Sequence, residues 1–223
     1  MKRSFVGFLA GAATASTLMV GAASANTLNF TSWNGYSSVN ITDTPEGNTG
    51  HTLSGAFKAT DATGTWGTFI AWCLDLGGVL ASNSVYSATD DPFSNSDGVS
   101  LPARDRIDDF FQDIDVIAES NASTSQSSAV QIALWEILYD DDYNLSTGVF
   151  QTTGGSTSIA QGLLDFAKDN DLARTMKVTY LEAENGARQN LVTISPVPLP
   201  AAGFLLLGGL GGLTLLRKRR KSG

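Results

Sequence analysis

Apolar and polar positions alternate in short runs through the first part of the chain. The segments 28–33, 36–42 and 52–59 are rich in Thr, Val, Phe and Tyr and are punctuated by Gly, Asn and Pro, a pattern that predicts strands. Residues 65–76, TWGTFIAWCLDL, carry the strongest strand pattern. Trp66, Thr68, Ile70, Trp72 and Leu74 share one face, and Phe69, Ala71, Cys73 and Asp75 share the other. Both faces hold apolar groups, so this strand is expected in the interior. The Ser/Asp/Asn-rich stretch 82–100 reads as a long surface loop.

The period then changes from two to that of a helix. Pro102 suits a first helical turn, and Ile107, Phe110, Phe111, Ile114 and Ile117 repeat at helical spacing. A second helix is expected after the Ser/Thr-rich 123–128, which can cap it, as far as residue 139. Its core stripe is Val130, Ala133, Leu134, Ile137 and Leu138. A third, over 156–168, is expected to bury Ile159, Leu163 and Phe166. MKVTYLEAE and ARQNLVTI then flank Asn185-Gly186, a hairpin signal. No internal repeat is present. Strands, then helices, then strands predict an α+β fold: an antiparallel β-sandwich or barrel core with an inserted helical segment.

The two ends follow a different logic. Lys2 and Arg3 precede a small-apolar stretch at 5–20 and an A-x-A site at Ala23-Ser24-Ala25, the pattern of a secretory signal peptide over 1–25. Residues 199–216 carry no charge, a length that reaches the hydrocarbon thickness of a bilayer. Arg217, Lys218, Arg219, Arg220 and Lys221 follow directly, and such a cluster stays cytoplasmic. Its place after an apolar segment favours a stop-transfer role over nucleic-acid binding. An ectodomain over 26–195 is therefore expected between a leader and a C-terminal transmembrane segment in 196–223.

That last segment begins Val197-Pro198-Leu199-Pro200-Ala201. With the apolar stretch and the basic cluster behind it, it resembles the PEP-CTERM family of sorting signals in its VPLPA variant. The resemblance implies a Gram-negative exporter and recognition by an exosortase-type membrane protease. It also implies removal of the apolar helix and delivery to the cell surface or extracellular matrix. A plain anchor that is never cut is the alternative. The 22 acidic residues all fall within 26–195, against seven of the 14 basic ones, a segment charge of −15. Such a charge keeps an exported protein soluble and argues against binding DNA or anionic lipid.

The chain has one cysteine, Cys73. It can be a buried thiol that behaves as a small hydrophobe, or it can form an intermolecular disulfide in an oxidising compartment. As a nucleophile it would want a base, and the one histidine, His51, has no recognisable partner motif. One Cys and one His cannot build a structural zinc shell, so neither a metal nor another cofactor is expected at this cysteine.

A fourth reading joins two stretches. Trp72-Cys73-Leu74-Asp75 and Gln131-Ile132-Ala133-Leu134-Trp135, with Glu136 following, resemble the paired motifs of thioester domains, the Cys–Gln bond-forming modules of bacterial surface adhesins. There the cysteine sits in an aromatic-Cys-Ile-Asp-like strand and the glutamine at a Thr-Gln-x-Ala-Ile-Trp helix start. The departure here is Val130 in place of Thr. The resemblance implies a Cys73–Gln131 thioester.

The chemistry asks for a thiol attacking the Gln131 carboxamide with loss of ammonia. An amide resists this unless the fold holds sulfur against carbonyl carbon. Free N–H groups at a helix start would stabilise the oxyanion. Trp72 and Trp135 would keep water out, and Asp75 or Glu136 would carry the proton to ammonia. The expected function is single-use covalent attachment to an amine-bearing surface or matrix partner, which is not enzyme turnover. Two alternatives stand beside it: a non-reactive structural matrix or biofilm protein of the same fold, and a carbohydrate-binding module using Trp33 or Tyr36.

Weaker candidates remain. Asn95-Ser96-Asp97-Gly98 is similar to part of a calcium loop, but Phe93 and Arg104 stand where acidic ligands are needed. Asp140-Asp141-Asp142 reads first as a solvated acidic loop and second as a calcium ligand set. The N-x-S/T triplets at Asn40, Asn121 and Asn144 mean little in a bacterium.

Removing residues 198–221 is expected to release the 26–195 segment into periplasm or medium with its cooperative unfolding transition intact, because the apolar tail belongs to lipid. Thermal unfolding of the truncated protein checks this; loss of the cooperative transition would place the boundary elsewhere.

Overall fold

The computed structural model of the chain describes residues 25–64, 66–89, 99–170, 172, 176–186 and 188–196. The expected leader and sorting segment lie outside these residues, apart from Ala25 and Pro196, which begin and end strands. So do the apolar stretch 199–216, Val197 to Ala201, Arg217 to Lys221, and the 93–98 loop. Among the described residues, no helix is long and apolar enough to cross a membrane.

Among the described residues, nine strands and four helices follow one another. The strands are β1 (Ala25–Trp33), β2 (Ser37–Asp43), β3 (Gly50–Ser54), β4 (Phe57–Asp61), β5 (Thr68–Cys73), β6 (Ser84–Thr89), β7 (Gln151–Thr153), β8 (Met176–Ala183) and β9 (Leu191–Pro196). The helices are α1 (Leu101–Asp113), α2 (Val116–Ala122), α3 (Thr124–Tyr139) and α4 (Thr157–Asp169). Six strands close an antiparallel barrel in the order β1-β4-β5-β9-β8-β6, and a separate sheet runs β3-β2-β7. The α+β expectation with a helical insertion holds, and of the sandwich and barrel alternatives the structure forms the barrel, with a small second sheet. The expected hairpin is present: β8 and β9 pair from Met176↔Pro196 to Leu181↔Leu191.

Several elements depart from the pattern. The run 52–59 is two strands, because the chain breaks at Gly55, where φ is +155°. A Cβ there would lie 2.2 Å from the Gly35 carbonyl oxygen, so only glycine fits this crossing. Within the expected surface loop 82–100 lies β6, which pairs with both β1 and β8. Its Ser, Ala and Thr residues hide a strand whose inward position is Tyr86.

The first expected helix is two. Ile114 turns extended, with ψ of 130°, and the Asp115 side chain accepts from the Ala118 N–H to cap α2 afresh.

The core lies where the helices meet the barrel. α3 packs against α1, α2, α4 and strands β2 and β3, and every residue from Ser127 to Ile137 is buried. The apolar stripe read from sequence was therefore one side of a helix enclosed all round, and the Ser/Thr cluster expected to precede it lies mostly inside it. Ser123 alone is the N-cap, accepting from the Gln126 N–H at 3.1 Å.

In α4 the buried stripe is Ala160, Leu164 and Ala167, while Phe166 is 47 % exposed and Ile159 and Leu163 are half-buried. The helix faces the core with its smaller side chains because α3 passes close. Leu164→Ala is expected to destabilise by about 2–5 kcal/mol and Phe166→Ala by about 0.5 kcal/mol or less. Chemical denaturation of the two variants checks this; equal losses would contradict the assigned face.

Candidate functional site

The sequence folds so that β5 runs one step further than β4. Their pairing ends at Phe57↔Ala71, where β4 begins. On its other edge β5 stays paired through Cys73↔Leu191, and Leu74 N–H donates to Asn190 O at 2.8 Å. The next position facing β4, Cys73, would meet the turn at Gly55-Ala56. The Ala56 peptide groups are committed elsewhere: its N–H donates to Ser127 Oγ at 2.9 Å and its carbonyl accepts from Asn34 N–H at 2.8 Å. Cys73 is left with a peptide to satisfy and no strand beside it.

Gln131 fills that position. The Cys73 N–H donates to Gln131 Oε1 at 2.9 Å, and Gln131 Nε2 donates to the Cys73 carbonyl at 2.8 Å. The carboxamide exchanges both bonds with one residue, as the opposite residue in a hydrogen-bonded antiparallel pair would. Gln131 is 1 % exposed and Cys73 is 6 % exposed. The two residues joined by the motif resemblance are thus brought into direct contact.

A serine cluster positions the helix for this contact. One turn before Gln131, Ser127 Oγ donates to Gly35 O at 2.7 Å, and Ser128 Oγ bonds Ser37 and Ser54 at 2.9 and 2.5 Å. These side chains tie α3 to β2, β3 and the Gly55 turn. Their spacing of three and four residues before Gln131 was the available signal for them.

A second set of bonds holds the far end of β5. Asp75 accepts from Gly78 N–H at 2.9 Å and Asn190 N–H at 2.8 Å, and its carbonyl accepts from Gln189 Nε2. Tyr86 OH donates to Gln189 O at 3.0 Å. Tyr139 OH donates to Glu46 at 2.6 Å and accepts from Leu76 N–H at 3.0 Å. Gln189, Asn190, Tyr86 and Tyr139 carried no pattern that marked them in the sequence.

Burial first, and the nearby charge of Asp75 second, push the Cys73 thiol well above its ordinary pKa. Asp75 itself is raised, by burial foremost, against the backbone N–H groups that favour its charge. The thiol is free but enclosed, which argues against an intermolecular disulfide. His51 lies on β3, exposed, in the other sheet.

The flanking residues fall in distinct places. Trp72 projects from the face of β5 opposite Cys73 and meets Phe111 edge-on at 5.3 Å. Trp135 and Ala133 are buried within α3, as is Val130. The indole nitrogens of Trp72 and Trp135 are buried without a hydrogen-bond partner. Trp33 packs edge-on to Phe30 and Phe57, while Tyr36 is exposed.

Two expectations about the chemistry change. Gln131 sits in the middle of α3 and not at its start, so the N–H that reaches its oxygen is that of Cys73. Glu136 does not face Cys73. Its Oε1 accepts from Asn144 N–H at 2.7 Å, and its carboxyl gathers with those of Asp140 and Asp142 within 4.8 Å. Burial, with the two aspartates adding, pushes Glu136 up to about 8. Burial works against the Asp140 charge, but N–H groups of Val149, Asp141, Asp142 and Phe150 hold its carboxyl below the usual value.

No protein-family model and no curated protein sequence matches the chain. Among solved structures, the chain is similar to the N-terminal thioester domain of a surface protein from Clostridium perfringens, as a Cys-to-Ala mutant. The identity is 13 %, the TM-score 0.40, and the match covers 64 % of this chain and 89 % of that one. It is similar to the N-terminal thioester domain of the fibronectin-binding protein SfbI from Streptococcus pyogenes at 16 % identity and TM-score 0.38, covering 64 % and 86 %. The N-terminal domain of the Streptococcus pyogenes pilus tip adhesin Cpa gives 12 % and 0.38, covering 66 % and 84 %.

The Glu136 environment generates a pH dependence. Its ordinary pKa is 4.5 and its folded value about 8, so the native state keeps a proton that the unfolded chain has released. Its contribution to stability is present below pH 4.5 and falls as pH rises from there through about 8. Glu136→Gln is expected to flatten that part of the profile. Denaturant unfolding from pH 4.5 to 8.5 in metal-free buffer checks this; an unchanged slope in the variant would assign the titration to another group.

Proposed function

We propose that the chain is an exported surface protein whose Cys73 and Gln131 form an intramolecular thioester, used once to attach the protein to an amine-bearing partner. The observation that supports this is the carboxamide held by both backbone groups of Cys73. In the proposed step the thiol adds to Gln131 Cδ, and the Cys73 N–H, already on Oε1, holds the charge that develops there. Nε2 leaves as ammonia, taking the proton that the thiol gives up. Asp75, whose charge is felt at Cys73, is the proton carrier in this reading.

A partner's amine then attacks the thioester carbon. An amide to the partner forms, and the proton lost by the amine returns to sulfur. Nothing turns over, so the module is a covalent binder and not an enzyme. The buried setting limits hydrolysis, and the raised thiol pKa makes cysteine a reluctant nucleophile that needs the pre-positioned carbonyl. The tail motif supports passage through the inner membrane to an exosortase-type protease and then to the cell surface or matrix.

A second reading rests on the same two bonds. They satisfy the peptide left open where β5 outruns β4, which a purely structural glutamine would do in a non-reactive matrix protein.

Thiol titration in acid-denatured protein separates the readings. The thioester reading expects no titratable thiol in untreated protein, and one thiol per chain plus a label on Gln131 after methylamine. A fully titratable thiol without treatment, and no label at Gln131, would leave the structural reading.

A further inference from the structure

Away from Cys73, the end of α3 holds a group that the thioester chemistry does not use. Glu136 is 0 % exposed, and its Oε2 is buried without a hydrogen-bond partner. Its carboxyl lies with those of Asp140 and Asp142 so that one oxygen of each falls within 4.8 Å of the others. We infer that Glu136, Asp140 and Asp142 form a calcium site that fastens the 140–150 loop to the end of α3.

A buried carboxylate oxygen with nothing donating to it is costly, and here it faces two further carboxyls of the same sign. Two things can relieve it: a proton shared between Glu136 and Asp142, or a cation among the three. Lys168 does not supply that charge, since its Nζ donates to the Asp142 carbonyl at 3.1 Å and lies over the Tyr143 ring.

The loop closes around the cluster. Thr147 Oγ1 donates to Asp142 Oδ2 at 2.9 Å, and Val149 N–H donates to Asp140 Oδ2 at 2.5 Å. Gly148, with φ of +81°, leaves no room for a side chain beside that oxygen.

The donor set is all oxygen, which selects a hard divalent cation over zinc or copper. Calcium fits better than magnesium. It accepts irregular shells of six to eight oxygens, so water and loop groups complete three carboxylates, whereas magnesium keeps its waters and would leave the buried Oε2 without inner-sphere contact. Extracellular calcium modules bind at roughly 10⁻⁴–10⁻³ M, the range expected here.

The test uses the full-length protein, stripped with chelator and kept soluble in a non-ionic detergent, titrated with calcium chloride by calorimetry and followed by thermal unfolding. The expected result is one calcium per chain in that range, an unfolding temperature that rises with calcium, and binding at least about tenfold weaker for magnesium. Glu136→Gln and Asp142→Asn should each weaken calcium binding at least about tenfold. Asp142 is partly exposed, so its variant serves if Glu136→Gln does not fold. No heat and no thermal shift in the wild type up to about 10 mM calcium would overturn the site in favour of the shared proton. Wild-type affinity in both variants would overturn it as well.

Discussion

Two hydrogen bonds between the Gln131 carboxamide and the Cys73 peptide join the barrel to the helical insertion within the buried core. They exist because β4 starts two residues short of the end of β5, and a buried peptide with no ladder partner costs roughly 1–3 kcal/mol per unmade bond. A side chain from α3 supplies the missing partner. Whatever else Gln131 does, the barrel needs a donor and an acceptor there, presented together by one planar group.

That requirement spreads outward. For the carboxamide to arrive in register, α3 must be fixed along its axis, and Ser127 and Ser128 do this through Gly35, Ala56, Ser37 and Ser54. For α3 to pass so close to Gly35, that residue must lack a side chain, since a Cβ there would lie 3.2 Å from Ser127 Cβ and Thr124 Cα. For Cys73 to hold its place, the chain after it is bound back by Asp75 to Gly78 and Asn190. In the proposed amide-to-thioester exchange, a carboxamide fixed on the Cys73 peptide supplies effective concentration, on which such a step rests more than on an activated thiol. In that proposal the raised thiol pKa slows a step that is needed only once.

The sequence made some of this legible and hid the rest for identifiable reasons. Alternation over 65–76 marked β5 because aromatic and aliphatic residues sit on both of its faces, and Asn185-Gly186 marked the β8–β9 hairpin. The motif pair named Cys73 and Gln131, which lie in contact. The helix start expected beneath Gln131 is its middle, because within the Ser/Thr stretch only Ser123 caps the helix, while Ser127 and Ser128 lie inside it as buried polar residues. Ser- and Ala-rich β6 reads as loop, since its pairing with β1 and β8, not its own composition, makes it a strand. Phe166, expected inward with Ile159 and Leu163, is exposed, because α4 turns Ala160, Leu164 and Ala167 to the core. Glu136, expected beside Asp75 as a proton carrier, is instead aimed by the turn of the helix at Asn144 and the aspartates.

Consumption of the Gln131 carboxamide by Cys73 is read from the intact mass of the mature protein under native conditions. With the thioester formed, the expected mass is one ammonia below that of the processed sequence, with the deficit absent in Gln131→Ala and in Cys73→Ala. A wild-type mass equal to that of the processed sequence, in protein never exposed to amines, would contradict it.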